Sequence, residues 1–254
     1  MDVTVSILVL TYNRVALSNS YIPGIVNNAG DIPFEVLIWD NGSTDGSYDW
    51  VYEYGQADCR VYKTYGSELN IGMEAFNTMA QDARGKYIIK VDDDITVPKN
   101  FAERMVAAYE YVNDSRLLFL GWDMAWANPN HRGTATFATR SGRNMYEGAL
   151  GKVLHLPTEG ESVLVSYNPR KWMVNGVCRL STREAFLGIG GHPKGIIYGV
   201  DVHVSRRAAE CGYWVGYLHA NDLVHHHGFV DSVSYRSMKD VEMRKRVSNY
   251  ATSP

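Results

Sequence analysis

Tyr87-Ile88-Ile89-Lys90-Val91-Asp92-Asp93-Asp94 decides the fold: an apolar run stops abruptly on three adjacent carboxylates. Without polar alternation, such a run reads as a strand covered on both faces, as in a parallel sheet. Two other segments end the same way. Val3–Leu10 (VTVSILVL) stops at Thr11-Tyr12-Asn13-Arg14, and Phe34–Trp39 (FEVLIW) stops at Asp40-Asn41-Gly42-Ser43-Thr44-Asp45. Helical stretches follow: Leu17–Asn28, which Pro23 is expected to break or restart, then Tyr48–Tyr54 and Asn100–Val112. Cys59–Thr64 reads as a further strand and Met73–Asp82 as a further helix. This alternation predicts an α/β fold with a mostly parallel, Rossmann-like sheet flanked by helices. Ligands bind such sheets beyond the carboxyl ends of the strands. All three polar clusters fall there.

The pattern loosens from Leu117 onward. Leu117–Leu120, Met173–Leu180 and Trp214–Leu218 read as strands, Val202–Cys211 as a helix closed by Gly212, and Asp240–Val247 as a terminal helix. Residues 121–171 are rich in Gly, Arg and aromatics without a clean period. We expect a single domain over 1–254, with about 1–115 forming one half and 116–254 a more variable second half. The chain is 45% hydrophobic and 21% charged, enough for a core and unlike a disordered or coiled-coil sequence. A net charge of −3 gives no general grip on phosphate backbones. Cys59, Cys178 and Cys211 are far apart with no CxxC pair, which excludes a zinc ribbon and a disulfide framework. The start has no basic n-region, and no apolar run approaches the roughly 18 residues of a membrane span. A soluble, cytoplasmic protein is the expectation.

Asp92, Asp93 and Asp94 repel one another and are costly to desolvate without a cation. Mg²⁺ and similar ions take one or two carboxylates together with substrate phosphates. In extended backbone Asp92 and Asp94 share a side and Asp93 points away. The competing reading is a solvated acidic turn capping the next helix. Asp40 can accept hydrogen bonds from a base imide or a ribose, or merely form a turn. In His225-His226-His227, alternate residues share a face, so one of them suits a third metal ligand, His227 before His225. Asp201, at a helix start after a glycine-rich loop, is an N-cap or a general base for an acceptor hydroxyl. Trp122, Trp126 and Trp172 can stack on sugar rings, although core burial competes for each. No GxGxxG follows a strand, and no GxxxxGK[ST] occurs.

Four motifs in order resemble the inverting family 2 glycosyltransferases of the GT-A fold. They are Ser6–Arg14, Trp39–Ser47, Asn70-Ile71-Gly72 with Asn77, and Gly85–Ile95. The likeness is strong over about 3–112, weaker over 173–228 and absent over 121–171. It implies that Thr11, Tyr12, Arg14 and Asn70 line a nucleotide-sugar pocket and that Asp40 contacts base or ribose. Asp92 and Asp94 correspond to the family's DxD element, which handles the ribose and a metal-bridged diphosphate. Three aspartates leave the register open, so Asp93 stays a candidate. Ile197–Arg207 looks like the segment carrying the family's acidic pair, with Asp201 as base. Val200 here replaces the preceding glutamate.

The resemblance further implies Mn²⁺ or Mg²⁺, a nucleotide-diphosphate sugar donor (UDP by family frequency) and a hydroxyl-bearing acceptor such as a glycan. Arg132, Arg140, Arg143, Lys152, Arg170 and Lys171 favour an anionic acceptor, nucleic acid included, unless they are solvated surface. Two other readings stand beside this one. A nucleotidyltransferase would carry a glycine-rich phosphate loop after its first strand, and Thr11–Arg14 has none. An inactive nucleotide- or glycan-binding module of the same fold would bind without turnover.

Overall fold

The three apolar runs lie side by side: β1 (Val5–Thr11) pairs in parallel with β2 (Phe34–Asp40). β3 (Val61–Gly66) extends this array on the β2 side and β4 (Tyr87–Asp92) on the β1 side, again in parallel. The computed structural model describes residues 2–126, 150–158, 160–166, 174–195 and 200–226, with Ser237 and Val241. Register brings Thr11 beside Asp40 and Leu10 beside Asp92, so the strand ends are level.

Helices α1 (Val15–Asn27), α2 (Ser47–Ala57), α3 (Ala75–Asp82) and α4 (Phe101–Val112) cover the two faces. Val5, Ile7 and Val9 pack with Ile22, Ile25, Phe101 and Met105. Leu8, Leu37 and Ile88 pack with Phe76 and Met79 in a second layer. Both faces of β1 are therefore dry, which is why its sequence does not alternate. Each fully buried aliphatic side chain contributes about 1.5–3 kcal/mol. Pro23 does not break α1. Its missing N–H leaves the carbonyl one turn back, that of Asn19, without a helical donor, but Asn19 is exposed and water can serve it.

The second half adds β5 (Ile95–Thr96), β6 (Leu117–Trp126), β7 (Leu150–His155), β8 (Ser162–Ser166), β9 (Cys178–Thr182) and β10 (Trp214–His225). Helices α5 (Arg183–Gly188) and α6 (Val200–Glu210) complete it. One ten-stranded sheet runs β3-β2-β1-β4-β9-β6-β10-β8-β7, with β5 on β10. Its parallel ladders hold most of the paired residues, as expected for an α/β fold. β9 enters antiparallel between β4 and β6 and so joins the first four strands to the later ones in one sheet.

Three expectations need correction. The strand expected at Met173–Leu180 begins only at Cys178, because Asn175-Gly176 forms a loop against α6. The strand at Cys59–Thr64 begins at Val61, after Asp58 closes a turn on Arg60. The strand expected to end at Leu218 continues to His225 through a register shift between Leu218 and Leu223. The helix expected at Asp240–Val247, apart from Val241, and the cations Arg132, Arg140, Arg143, Arg170 and Lys171 lie outside the described residues, as does the side chain of Lys152.

Two polar clips pin the sheet. Glu35 is buried and accepts from Ser6 Oγ (2.6 Å), Arg84 N (2.7 Å) and Arg84 Nε (2.6 Å). Beside it, Gly85 has no room for a side chain: a Cβ would lie 2.6 Å from the Ser6 nitrogen. At the register shift, His219 Nδ1 meets the buried Asp123 carboxylate at 2.6 Å. That hydrogen bond raises the His219 pKa above the ordinary 6.5.

Gly85→Ala should cost about 2 kcal/mol, because rigid backbone must give way; urea unfolding measures it. The Asp123–His219 pair stabilises the folded chain fully below the unfolded histidine value near 6.5, and that contribution is lost as pH rises through the raised folded value. Urea midpoints across this range should fall with pH in the wild type and flatten in His219→Gln.

Candidate active site

The loops after β1 and β2 are laced together. Asn13 adopts a left-handed conformation (φ 50°), and its Oδ1 accepts from Thr44 N at 2.7 Å. Asn13 N donates to Ser43 Oγ (2.8 Å), and Asn41 N donates to the Thr11 carbonyl (2.9 Å). The Thr11 hydroxyl is buried against Ser18 Oγ at 2.6 Å, so it serves α1. Tyr12 stands half-buried at the same strand end.

Arg14 is the hub of the third loop. Its Nη1 donates to Asp93 Oδ1 (3.0 Å) and Asp94 Oδ2 (2.9 Å), and all three side chains are almost wholly buried. Ser18 Oγ also donates to Asp93, at 3.3 Å. Burial pushes the Asp93 carboxyl up to about 6, with Arg14 pulling it down and Asp94 pushing it further up. The alternation expected of extended backbone does not hold here: Asp93 and Asp94 lie in a turn, and their carboxylates meet on the same Arg14 nitrogen.

Asp92, Asp94 and His225 each offer a ligand atom, and these atoms lie within 4.8 Å of one another. His225 Nε2 is 3.2 Å from Asp94 Oδ1. The arrangement is set from behind by His226. Its backbone N–H donates to the Asp94 carbonyl (2.9 Å), its Nε2 bonds Thr96 Oγ1 (2.9 Å), and its ring stacks on Tyr21 at 4.6 Å. Two carboxylates and one imidazole suit a divalent cation that tolerates nitrogen, Mn²⁺ among them. The residues present fit such an ion. His227 lies outside the described residues.

Asp40 is buried, and its Oδ1 accepts from Ser43 N at 2.9 Å. Its Oδ2 has no hydrogen-bond partner among the described residues. A buried acceptor left open costs about 1–3 kcal/mol, which a ligand N–H or O–H would recover. Asp40 lines a concavity of about 470 Å³ with Ser43, Thr44, Tyr48, Gly66 and Ser67. Asn70 closes the neighbouring loop: its Oδ1 accepts from Asn41 Nδ2 (2.9 Å) and Gly72 N (2.8 Å).

Asp201 stands in the first turn of α6 with 40% of its side chain open, 3.7 Å from Arg179 Nη1. Surrounding protein raises its pKa, while Arg179, Lys90 and a backbone hydrogen bond from Gly176 temper the rise. Gly176 makes room for it, since a Cβ there would lie 2.5 Å from Asp201 Oδ1. Lys90 Nζ grips Asp92 Oδ1 and the Gly176 carbonyl. Lys90 and Arg179 escaped the sequence reading. The signal was there: each interrupts an apolar strand.

Trp122 needs correction. It is fully buried, donates from Nε1 to Asp222 Oδ1 (3.1 Å) and lies under the Arg104 guanidinium, so no ring face is open to a sugar. Trp172 and the side chain of Trp126 lie outside the described residues.

The family described as Glycosyl transferase family 2 matches residues 6–119. Glycosyltransferase AglE of Haloferax volcanii is 24% identical over 216 residues, covering 85% of this chain and 64% of its own length. The chain therefore spans less than two thirds of that relative. Mannosyltransferase PcManGT from Pyrobaculum calidifontis, solved with GDP-Man and Mn²⁺, superposes with a TM-score of 0.60 at 18% identity, over 94% of this chain and 60% of that one. S. aureus TarS 1–349 with UDP-GlcNAc gives 0.59 at 16% identity, over 94% and 65%. At such identities these structures establish the fold. The chain is thus similar to glycosyl transferase family 2 over residues 6–119, and its sheet has the GT-A fold of these glycosyltransferase structures.

Proposed function

We propose that the chain is a metal-dependent glycosyltransferase that moves a sugar from a nucleotide-diphosphate donor to an acceptor hydroxyl with inversion. The observation that carries this reading is the meeting of Asp92, Asp94 and His225 within 4.8 Å, at the same sheet edge as Asp40 and Asp201. The half before about residue 115 binds the donor, and the remainder receives the acceptor. The buried Asp40 oxygen accepts from the base or ribose, and Tyr12 flanks the nucleoside. Thr11, Asn70 and Asp93 serve the donor by holding the loops that shape its pocket, through their hydrogen bonds to Ser18 and Asn41.

Asp92, Asp94 and His225 would hold Mn²⁺ or Mg²⁺, with His227 a further candidate ligand. When bound, such an ion neutralises charge on the diphosphate leaving group. Asp201 takes the proton from the acceptor hydroxyl, whose oxygen attacks the anomeric carbon. The carbon–oxygen bond to the diphosphate breaks as the new bond forms, and the nucleoside diphosphate leaves with the electron pair. One displacement inverts the centre. The neighbours solved with GDP-Man and with UDP-GlcNAc support a nucleotide-sugar donor. UDP is our first choice of base.

Thermal unfolding with UDP, GDP and other nucleoside diphosphates, each with Mn²⁺, Mg²⁺ or EDTA, tests the donor half. Ligand at 100 times Kd stabilises by about 2.7 kcal/mol, so one nucleotide should raise the melting temperature with metal only. Asp94→Asn should abolish that rise. No rise with any nucleotide sinks the reading. Asp201→Asn should keep the nucleotide-dependent rise while transfer falls roughly 10²–10⁴-fold, the usual loss of a general base.

A further inference from the structure

Two buried cations lie directly behind the proposed reaction centre. Lys90 and Arg179 are cross-strand partners on β4 and β9, and both are almost wholly buried. Like charges directly opposite each other destabilise a sheet. Here each cation answers a different carboxylate: Lys90 answers Asp92 and Arg179 answers Asp201.

Arg179 has little freedom to move. Its guanidinium lies 4.5 Å over the Phe119 ring, and Nη2 meets His192 Nε2 at 3.2 Å. A guanidinium only donates, so Nε2 accepts and the imidazole carries its proton on Nδ1. Burial and the charges of Arg179 and Lys90 keep His192 neutral, well below the ordinary histidine range. His192 is itself pinned by Asn77, which accepts from its N–H (2.8 Å) and donates to its carbonyl (2.9 Å). Phe76 and Phe186 flank the ring at 5.7 and 5.4 Å.

The remaining arm, Nη1, stops 3.7 Å from Asp201 Oδ1 and makes no hydrogen bond among the described residues. At that distance the guanidinium favours the charged carboxylate without occupying its lone pairs. A general base needs both conditions. We propose that Arg179, locked by His192, is a positioning residue that keeps Asp201 ionised without itself taking up a lone pair that the acceptor hydroxyl needs. This rests on the reading of Asp201 as base.

Among the described residues, the groups around Asp201 are Arg179 from β9, Lys90 and Asp92 from β4, Tyr217 from β10 and the Gly176 backbone. Burial pushes the Asp201 carboxyl up, and Arg179 is the strongest pull downward. Deprotonated Asp201 is the active form, so activity is lost as pH falls through its folded pKa. Without the guanidinium that limb moves to higher pH.

The test is the pH profile of transfer in Arg179→Gln, which keeps a donor for His192 and removes the charge. The acid limb of kcat/KM should rise by about one pH unit, with at least a tenfold loss below it and recovery above it. The donor KM should stay within about threefold. Arg179→Lys should restore part of the limb. A merely structural role would lower activity alike at every pH. An unmoved limb in folded Arg179→Gln overturns the proposal. If that variant does not fold, His192→Phe decides: freeing the guanidinium must move the limb upward, and an unmoved limb overturns it.

Carbon-13 NMR titration of the Asp201 carboxyl needs no turnover. A lower pKa in wild type than in the variant supports the proposal, and equal values overturn it. Lower wild-type pKa without transfer of any sugar would overturn the assignment of Asp201 as base, not the electrostatic hold of Arg179.

Discussion

One Arg14 nitrogen shared by Asp93 and Asp94 is the contact on which the site depends. Desolvating a carboxylate costs several kcal/mol after relaxation, and three in a row at a buried strand end would not persist alone. The chain meets this cost with buried cations. Arg14 reaches in from the start of α1 to Asp93 and Asp94, Lys90 from β4 itself to Asp92, and Arg179 from β9 to the nearby Asp201. Each partner comes from a different stretch of sequence, so the carboxyl edge of the sheet is also the place where the fold is most tightly cross-linked.

That arrangement leaves selected atoms for a ligand. Lys90 grips one oxygen of Asp92, and Arg14 one oxygen of Asp94. The other Asp94 oxygen faces His225. Asp40 spends one oxygen on its own loop and keeps the second in hand. Polar groups with half their capacity satisfied internally are oriented before a ligand arrives. Preorganisation of this kind lowers the entropy cost of binding. The dry layers on both faces of β1 supply the rigidity that makes such aiming possible.

The first half was legible because its signals are local. An apolar run without alternation means a doubly covered strand, and a polar cluster after it means a strand end, wherever the helices pack. That Asp92 and Asp94 meet a histidine was legible in kind from the residue types, although the sequence put His227 before His225. Trp122 was not legible. A tryptophan looks the same in sequence whether its ring faces water or lies sealed beneath Arg104. Pro23 misled for a related reason: its penalty depends on whether the abandoned carbonyl reaches solvent.

By itself the sequence determined the α/β class, the placing of three polar clusters at the carboxyl ends of strands and the identity of the acidic residues there. Those features follow from hydrophobic periodicity and residue chemistry, which act over a few residues. Only the tertiary structure decided that β9 enters antiparallel beside β4, that Lys90 and Arg179 stand opposite each other, and that His225 turns onto Asp94. Strand neighbours far apart in sequence are chosen by packing across the whole sheet. No local pattern encodes the partner, and the charges that serve the site are set by that choice.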